Sequence, residues 1–93
     1  MERIKAAAIK YRLKGQEEFD IVWGPNHAYC INWFSCADIY RSMRDLKNEQ
    51  QGFLTNTERF VDRVEALEIA INAGQIDKET YRYDELYSEF VRY

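Results

Sequence analysis

Gly52-Phe53-Leu54-Thr55-Asn56-Thr57-Glu58-Arg59-Phe60-Val61-Asp62-Arg63-Val64-Glu65 contains both kinds of secondary structure within fourteen residues, and it decides the fold class. Gly52-Phe53-Leu54-Thr55 reads as a short strand, Asn56-Thr57-Glu58 as a turn, and Arg59-Phe60-Val61 as the returning strand. Asp62-Arg63-Val64-Glu65 then has the spacing of a capping box, with the Asp62 carboxylate accepting from first-turn amides and Glu65 reaching back. The helix this opens runs to Ala73. Val64, Leu67, Ala70 and Ile71 are its predicted inward face, and Gly74 follows as its C-cap.

Outward from this stretch the pattern repeats at larger scale. Residues 4–23 predict an N-terminal β-hairpin: Ile9, Tyr11 and Leu13 alternate with Lys10, Arg12 and Lys14, and Gly15 supplies the turn. Phe19, Ile21 and Trp23 share one face of the return strand. That face needs a cover, because a two-stranded ribbon is only marginally stable alone. Gly24-Pro25-Asn26 breaks the strand, and Asn26 is placed to cap a long helix over residues 27–46. Tyr29, Trp33, Cys36, Tyr40 and Met43 form one apolar stripe on it, with Cys30, Ile31, Phe34 and Ala37 beside them. One hairpin cannot cover so wide an arc, so the pattern predicts a homodimer or higher homo-oligomer through this helix. A polar connector over residues 47–51 leads back to the opening stretch, and residues 83–88 predict a short C-terminal helical turn. The expectation is a single α+β domain over residues 1–93, without repeats or low-complexity tracts.

Composition narrows the function classes. With 13 basic against 16 acidic residues, a net of −3, the chain lacks the cationic excess that non-specific DNA or RNA binding draws on. No apolar run is long enough to span a membrane, and the charged start Met1-Glu2-Arg3-Ile4-Lys5 does not read as a signal peptide. Cys30 and Cys36 fall about 240° apart around one helix, so they neither bridge nor share a metal there. The single histidine, His27, rules out a multi-histidine metal cluster. No P-loop, GxGxxG or GxSxG is present, so the reading favours a binding protein without cofactor or metal over an enzyme.

Aromatic content is the outlier, with seven Tyr, five Phe and two Trp. Large rings fill small cores and self-association surfaces, and they also stack on flat ligands. The same ambiguity holds for residues 52–63. A helix N-terminus at Asp62 beside Arg59, Arg63 and Phe53 suits phosphates and a purine. Equally, the segment reads as a hairpin leading into a well-capped helix, with Phe53 and Phe60 in the core.

Gly52-Phe53-Leu54-Thr55, Arg59-Phe60-Val61-Asp62-Arg63, Glu65-Ala66, Ala70 and Ala73-Gly74-Gln75-Ile76 together resemble the signature of the first-described family of phage Thoeris anti-defence proteins. Ala7-Ala8-Ile9 near the start and Leu86-Tyr87-Ser88-Glu89 near the end extend the likeness over most of the chain. The resemblance implies an oligomeric α+β protein that binds, without cleaving it, a cyclic ADP-ribose isomer made by a bacterial TIR-domain immune enzyme. Some members of that family also hold cyclic oligonucleotides at separate sites.

By position, the resemblance implies Phe53 as the ring stacking on adenine and Thr55 as its hydrogen-bonding neighbour. Asp62 takes the place of an Asn/Asp that contacts the ligand, and Arg63 that of the motif arginine. Lys78 and Arg82, the basic residues after Gln75-Ile76, would meet the phosphates from a partner subunit. His27 matches the motif histidine. Where the family reads Gly-x-Arg-His, this chain has Gly24-Pro25-Asn26-His27, so Asn26 stands where a cation would. The implied setting is the cytoplasm of an infected bacterium. A phage inhibitor that contacts a host defence protein directly is the alternative, through Tyr81, Tyr83, Tyr87 and Tyr93 with Asp84, Glu85 and Glu89.

Overall fold

The computed structural model describes residues 1–35 and 42–93. Strands β1 (Ile4–Tyr11), β2 (Asp20–Gly24), β3 (Gln50–Thr55) and β4 (Phe60–Asp62) form one antiparallel sheet in the order β2-β1-β3-β4. Helix α1 (His27–Ser35) follows β2, and helix α2 (Arg63–Asn72) follows β4. Short 3-10 turns occupy Leu46–Asn48 and Ser88–Phe90. The α+β expectation holds, but the two hairpins are not separate units: β1 also pairs with β3, Ala7 opposite Phe53 and Ala8 opposite Gly52.

That pairing makes β1 a central strand and explains its composition. Ile4, Ala6, Ala7, Ala8 and Ile9 are all buried, and alanines suit a strand flanked on both edges by bulkier neighbours. Two clusters lie along the helix-bearing face of the sheet. Ile4, Ala7, Phe53 and Val61 pack with Ala66 and Ala70 of α2 and with Ile76 and Leu86. Ile9, Tyr11 and Val22 pack with Cys30 and Phe34 of α1.

Several expectations are corrected. Phe19, Ile21 and Trp23 are 39–52% exposed, because β2 turns Val22 and Gly24 to the helices instead. Gly24 permits this: a Cβ there would strike the ring of Tyr29, so the glycine lets α1 fold back directly onto its own strand. The helix does not reach Leu46. Lys14 N–H donates to Met43 O at 2.6 Å and Asp45 N–H to Arg12 O at 3.0 Å, drawing residues 43–45 into strand-like pairing beyond β1. The outer stripe residues Cys36 and Tyr40, with Ala37, lie outside the described residues.

On α1 the buried positions are His27, Cys30 and Phe34, whereas Tyr29, Ile31 and Trp33 face outward. On α2 Ala66 and Ala70 are buried, Leu67 and Ile71 pack partly, and Val64 is exposed. The predicted connector over residues 47–51 is largely structured, since Lys47 and Asn48 end a 3-10 turn and Gln50 and Gln51 begin β3. The C-terminal helical turn forms at Ser88–Phe90, later than the sequence suggests.

Candidate functional site

Three segments far apart in sequence meet where both helices begin. Asn26 caps α1 as expected, its side-chain oxygen accepting from Tyr29 N–H at 2.8 Å. His27 N–H, the next free donor, is taken by Ser88 Oγ at 3.3 Å, which ties the C-terminal segment to α1. The His27 ring is buried and points to β3. Its Nε2–H donates to Gly52 O at 2.8 Å, and its edge meets the Phe53 ring at 5.1 Å. Burial lowers the His27 pKa, the Gly52 bond opposes this, and the Arg63 charge adds to the lowering. The imidazole is therefore neutral near pH 7.

Arg63, the first residue of α2, is the cation of this site. Its guanidinium donates to Gln51 Oε1 at 2.5 Å, stands 5.1 Å over the Tyr87 ring and reaches Glu85 only at 3.9 Å. Its buried Nε has no acceptor among the described residues. Arg63 O accepts from Leu86 N–H at 2.9 Å, which ties the start of α2 to the C-terminal segment. Around these groups lies a cavity of about 490 Å³, lined by Asn26, His27, Arg63, Tyr87, Ser88 and Tyr93 among others. The volume is within the range of small-ligand sites. Burial pushes the Tyr93 hydroxyl up to about 12, so it remains protonated there.

The remaining predicted residues are elsewhere. Phe53 is fully buried between Ala7 and Val61 and behind His27, so it presents no face to a ligand, and its role in the protomer is that of a core ring. Thr55 is also fully buried. Its Oγ1 pairs with Thr57 Oγ1 at 2.9 Å and accepts from Arg59 N–H at 3.2 Å, which organises the β3–β4 turn. Asp62 caps α2 by accepting from Glu65 N–H at 2.8 Å. The reciprocal half of the capping box is replaced by an ion pair, since Glu65 turns to Arg59 at 2.8 Å.

Arg59 also binds Glu2 at 2.7 Å, and hydrogen bonds from Arg59 and Thr57 pull the Glu2 carboxyl down to about 2. Arg59 is thus already paired with two carboxylates and is not a free cation beside Asp62. Lys78 is exposed and lines none of the cavities described. Arg82 lines two other cavities, one with Gln75 and Arg92 and one with Val64, Glu85 and Tyr87. The structure therefore brings Asn26, His27 and Arg63 to one cavity that Phe53, Thr55, Asp62, Lys78 and Arg82 do not line, although Phe53 touches His27 from the core side.

Sequence reasoning missed Gln51, Tyr87 and Ser88, since nothing in their local pattern signals that they converge on Arg63 and His27. It also missed Gln75. Its buried amide accepts from Ile4 N–H at 2.8 Å and donates to Ile4 O at 2.7 Å and Arg92 O at 3.1 Å, clamping the C-terminal segment to the sheet.

Residues 3–91 match the model of a family described as Phage T4 y16D protein. The chain belongs to this phage protein family. No curated protein and no solved structure matches it. Among the described residues no group of acidic, cysteine or histidine side chains is arranged to hold a metal, and no helix is long and apolar enough to cross a membrane.

Proposed function

We propose that this phage-family protein sequesters a small cyclic nucleotide-type signal, a cyclic ADP-ribose isomer in the first instance, in the cytosol of the infected bacterium and releases it unaltered. The observation that carries the reading is the convergence of Asn26, His27 and Arg63 on one cavity of about 490 Å³, where Arg63 Nε has no acceptor among the described residues. Arg63 supplies a fixed positive charge for phosphate. Tyr87, already under the guanidinium, supplies the aromatic wall that the resemblance assigned to Phe53. Neutral His27 and the capped start of α1 supply orientation.

Nothing in this arrangement is a nucleophile beside a base, because His27 spends its ring proton on a backbone carbonyl. That favours capture over cleavage. A sponge acts by mass action, so its sites must outnumber the signal and its Kd must lie below the level that activates the effector; each tenfold in Kd takes about 1.4 kcal/mol. The outward aromatics Trp23, Tyr29 and Trp33 line a shallow hollow at the sheet edge and support self-association through α1 and β2.

The test is a thermal-shift panel of cyclic ADP-ribose isomers and cyclic di- and trinucleotides, followed by heat release and mass determination of any ligand. One member should raise the melting temperature strongly and return intact. A converted product would make the protein an enzyme, and no shift across the panel would refute capture. The second reading, direct contact with a host defence protein, rests on the half-exposed Tyr83 and Phe90 beside Asp84 and Glu89. It predicts a stable protein complex and a silent panel.

A further inference from the structure

Beyond Tyr87 the chain is held in a different way from the rest of the C-terminal segment. Leu86 is fully buried with its N–H on Arg63 O, and Tyr87 N–H donates to the Tyr81 hydroxyl at 3.1 Å. No residue from 88 to 93 is buried, although Val91 packs partly against the core. Three polar contacts tie this stretch down instead. His27 N–H donates to Ser88 Oγ at 3.3 Å, Gln75 Nε2 to Arg92 O at 3.1 Å, and the Arg3 guanidinium to Tyr93 O at 2.8 Å. Segments with little apolar burial and exposed hydrogen bonds open at far lower cost than the whole domain unfolds.

The same stretch walls the cavity at Arg63, where Ser88, Glu89, Val91 and Tyr93 all line it. With this wall in place Arg63 Nε is sealed from solvent and has no acceptor among the described residues. A buried donor left unpaired disfavours the arrangement that seals it. At the other end of the stretch the Tyr93 hydroxyl reaches inward, where Ala7 O and the Cys30 thiol both act on it. That thiol is itself fully buried and donates to Ala7 O at 3.8 Å. One weakly held segment thus borders both a sealed cation and a sealed thiol.

We propose that residues 88–93 are a strap, hinged at Leu86 and Tyr87, that swings out as a unit to open the Arg63 cavity and closes again over what enters. The inference rests on the reading of that cavity as the capture site and adds the control of access to it. Because the closed strap supplies a wall, entry and escape pass through the open state, and tighter latches slow both. The motion itself needs no ligand, and Cys30 is its built-in reporter.

The test is alkylation of Cys30 by N-ethylmaleimide in the full chain carrying Cys36→Ser, read by peptide mass, with Arg63 Nε–H exchange followed by NMR in the same buffer. Cys30 should react with a urea dependence below about half that of global unfolding, since opening exposes one short segment. Arg3→Gln and Ser88→Ala each remove a latch, and each should speed Cys30 alkylation and Arg63 Nε–H exchange together by about three- to tenfold. The remote exposed Lys47→Gln should change neither. Alkylation that keeps the full urea dependence of unfolding overturns the proposal. So do latch variants that react at the wild-type rate, or faster Cys30 alkylation with Arg63 Nε–H exchange unchanged, which is fraying at Tyr93 alone. A silent nucleotide panel beside the expected rates would remove the capture reading and leave the strap standing.

Discussion

Replacing Phe53 separates its two roles, because a core ring and a ligand-stacking ring fail in different ways. The ring is fully buried, packs in the cluster of Ile4, Ala7, Val61, Ala70 and Leu86, and receives the edge of His27 at 5.1 Å. Truncation to Ala removes the ring and leaves a cavity between the central strands and α2, a loss of about 3–5 kcal/mol. A domain of this size melts about 4–8 °C lower per kcal/mol, so Phe53→Ala should fall by at least about 12 °C and sit near the limit of folding.

Phe53→Leu is the decisive partner. It keeps most of the volume, loses the edge contact and should cost about 1–2 kcal/mol, leaving a folded protein to assay. Calorimetric melting of both variants gives the stability, and titration of the leucine variant with the captured ligand gives the affinity. The structure predicts a graded loss of stability and, for Phe53→Leu, a Kd within about threefold of wild type, less than 1.4 kcal/mol. A Phe53→Ala protein that melts as wild type does while losing its ligand would refute this reasoning and return the ring to the binding site.

Other perturbations follow from the same geometry. His27 is held with a lowered pKa, so the unfolded chain binds more protons below about pH 6.5 and stability must fall as pH drops through that region. Melting curves between pH 7.5 and 5 (roughly the window set by an unperturbed histidine) should show this decline, and His27→Gln should flatten it; a wild-type curve flat across that window contradicts it. Gln75→Leu leaves Ile4 N–H, Ile4 O and Arg92 O without their partner, so it should cost about 2–4 kcal/mol by urea unfolding and loosen the C-terminal segment to proteolysis. Gly52→Ala drives a Cβ into Val61 O and the Phe60 ring that covers the glycine, and should lower the melting temperature by about 5 °C or more. A neutral result there would mean that β3 and β4 are less tightly paired than the register shows.

Local patterns read well from the sequence, and long-range pairings did not. The Asn56-Thr57-Glu58 turn, the Asp62 cap, the Gly74 stop and the Asn26 cap are written in neighbouring residues, and each forms. The β1–β3 pairing joins residues forty or more positions apart, and only the run Ala6-Ala7-Ala8 hints at a strand buried on both sides. Alternation in β2 was visible, but its sense was not. Which face turns inward depends on Gly24 admitting Tyr29, a contact that period-2 patterning does not encode.

The site shows the same division. The resemblance singled out His27 and Arg63, while Tyr87 and Ser88 reach them along a C-terminal segment that Gln75 clamps at Ile4 and Arg92. Phe53 carried the strongest resemblance to a ligand contact, and its burial reflects the plainer alternative, that a ring after a strand glycine fills the core.

The measurement closest to the central claim is the Kd of the captured nucleotide for wild type and for Arg63→Gln, with melting of both proteins as the control for folding. Gln keeps length and hydrogen-bonding capacity but removes the charge over Tyr87. Loss of charge-assisted contacts worth about 1.5–3 kcal/mol should weaken binding about ten- to hundredfold, while the variant stays folded at assay temperature. A folded Arg63→Gln protein that holds the nucleotide as tightly as wild type would contradict the account.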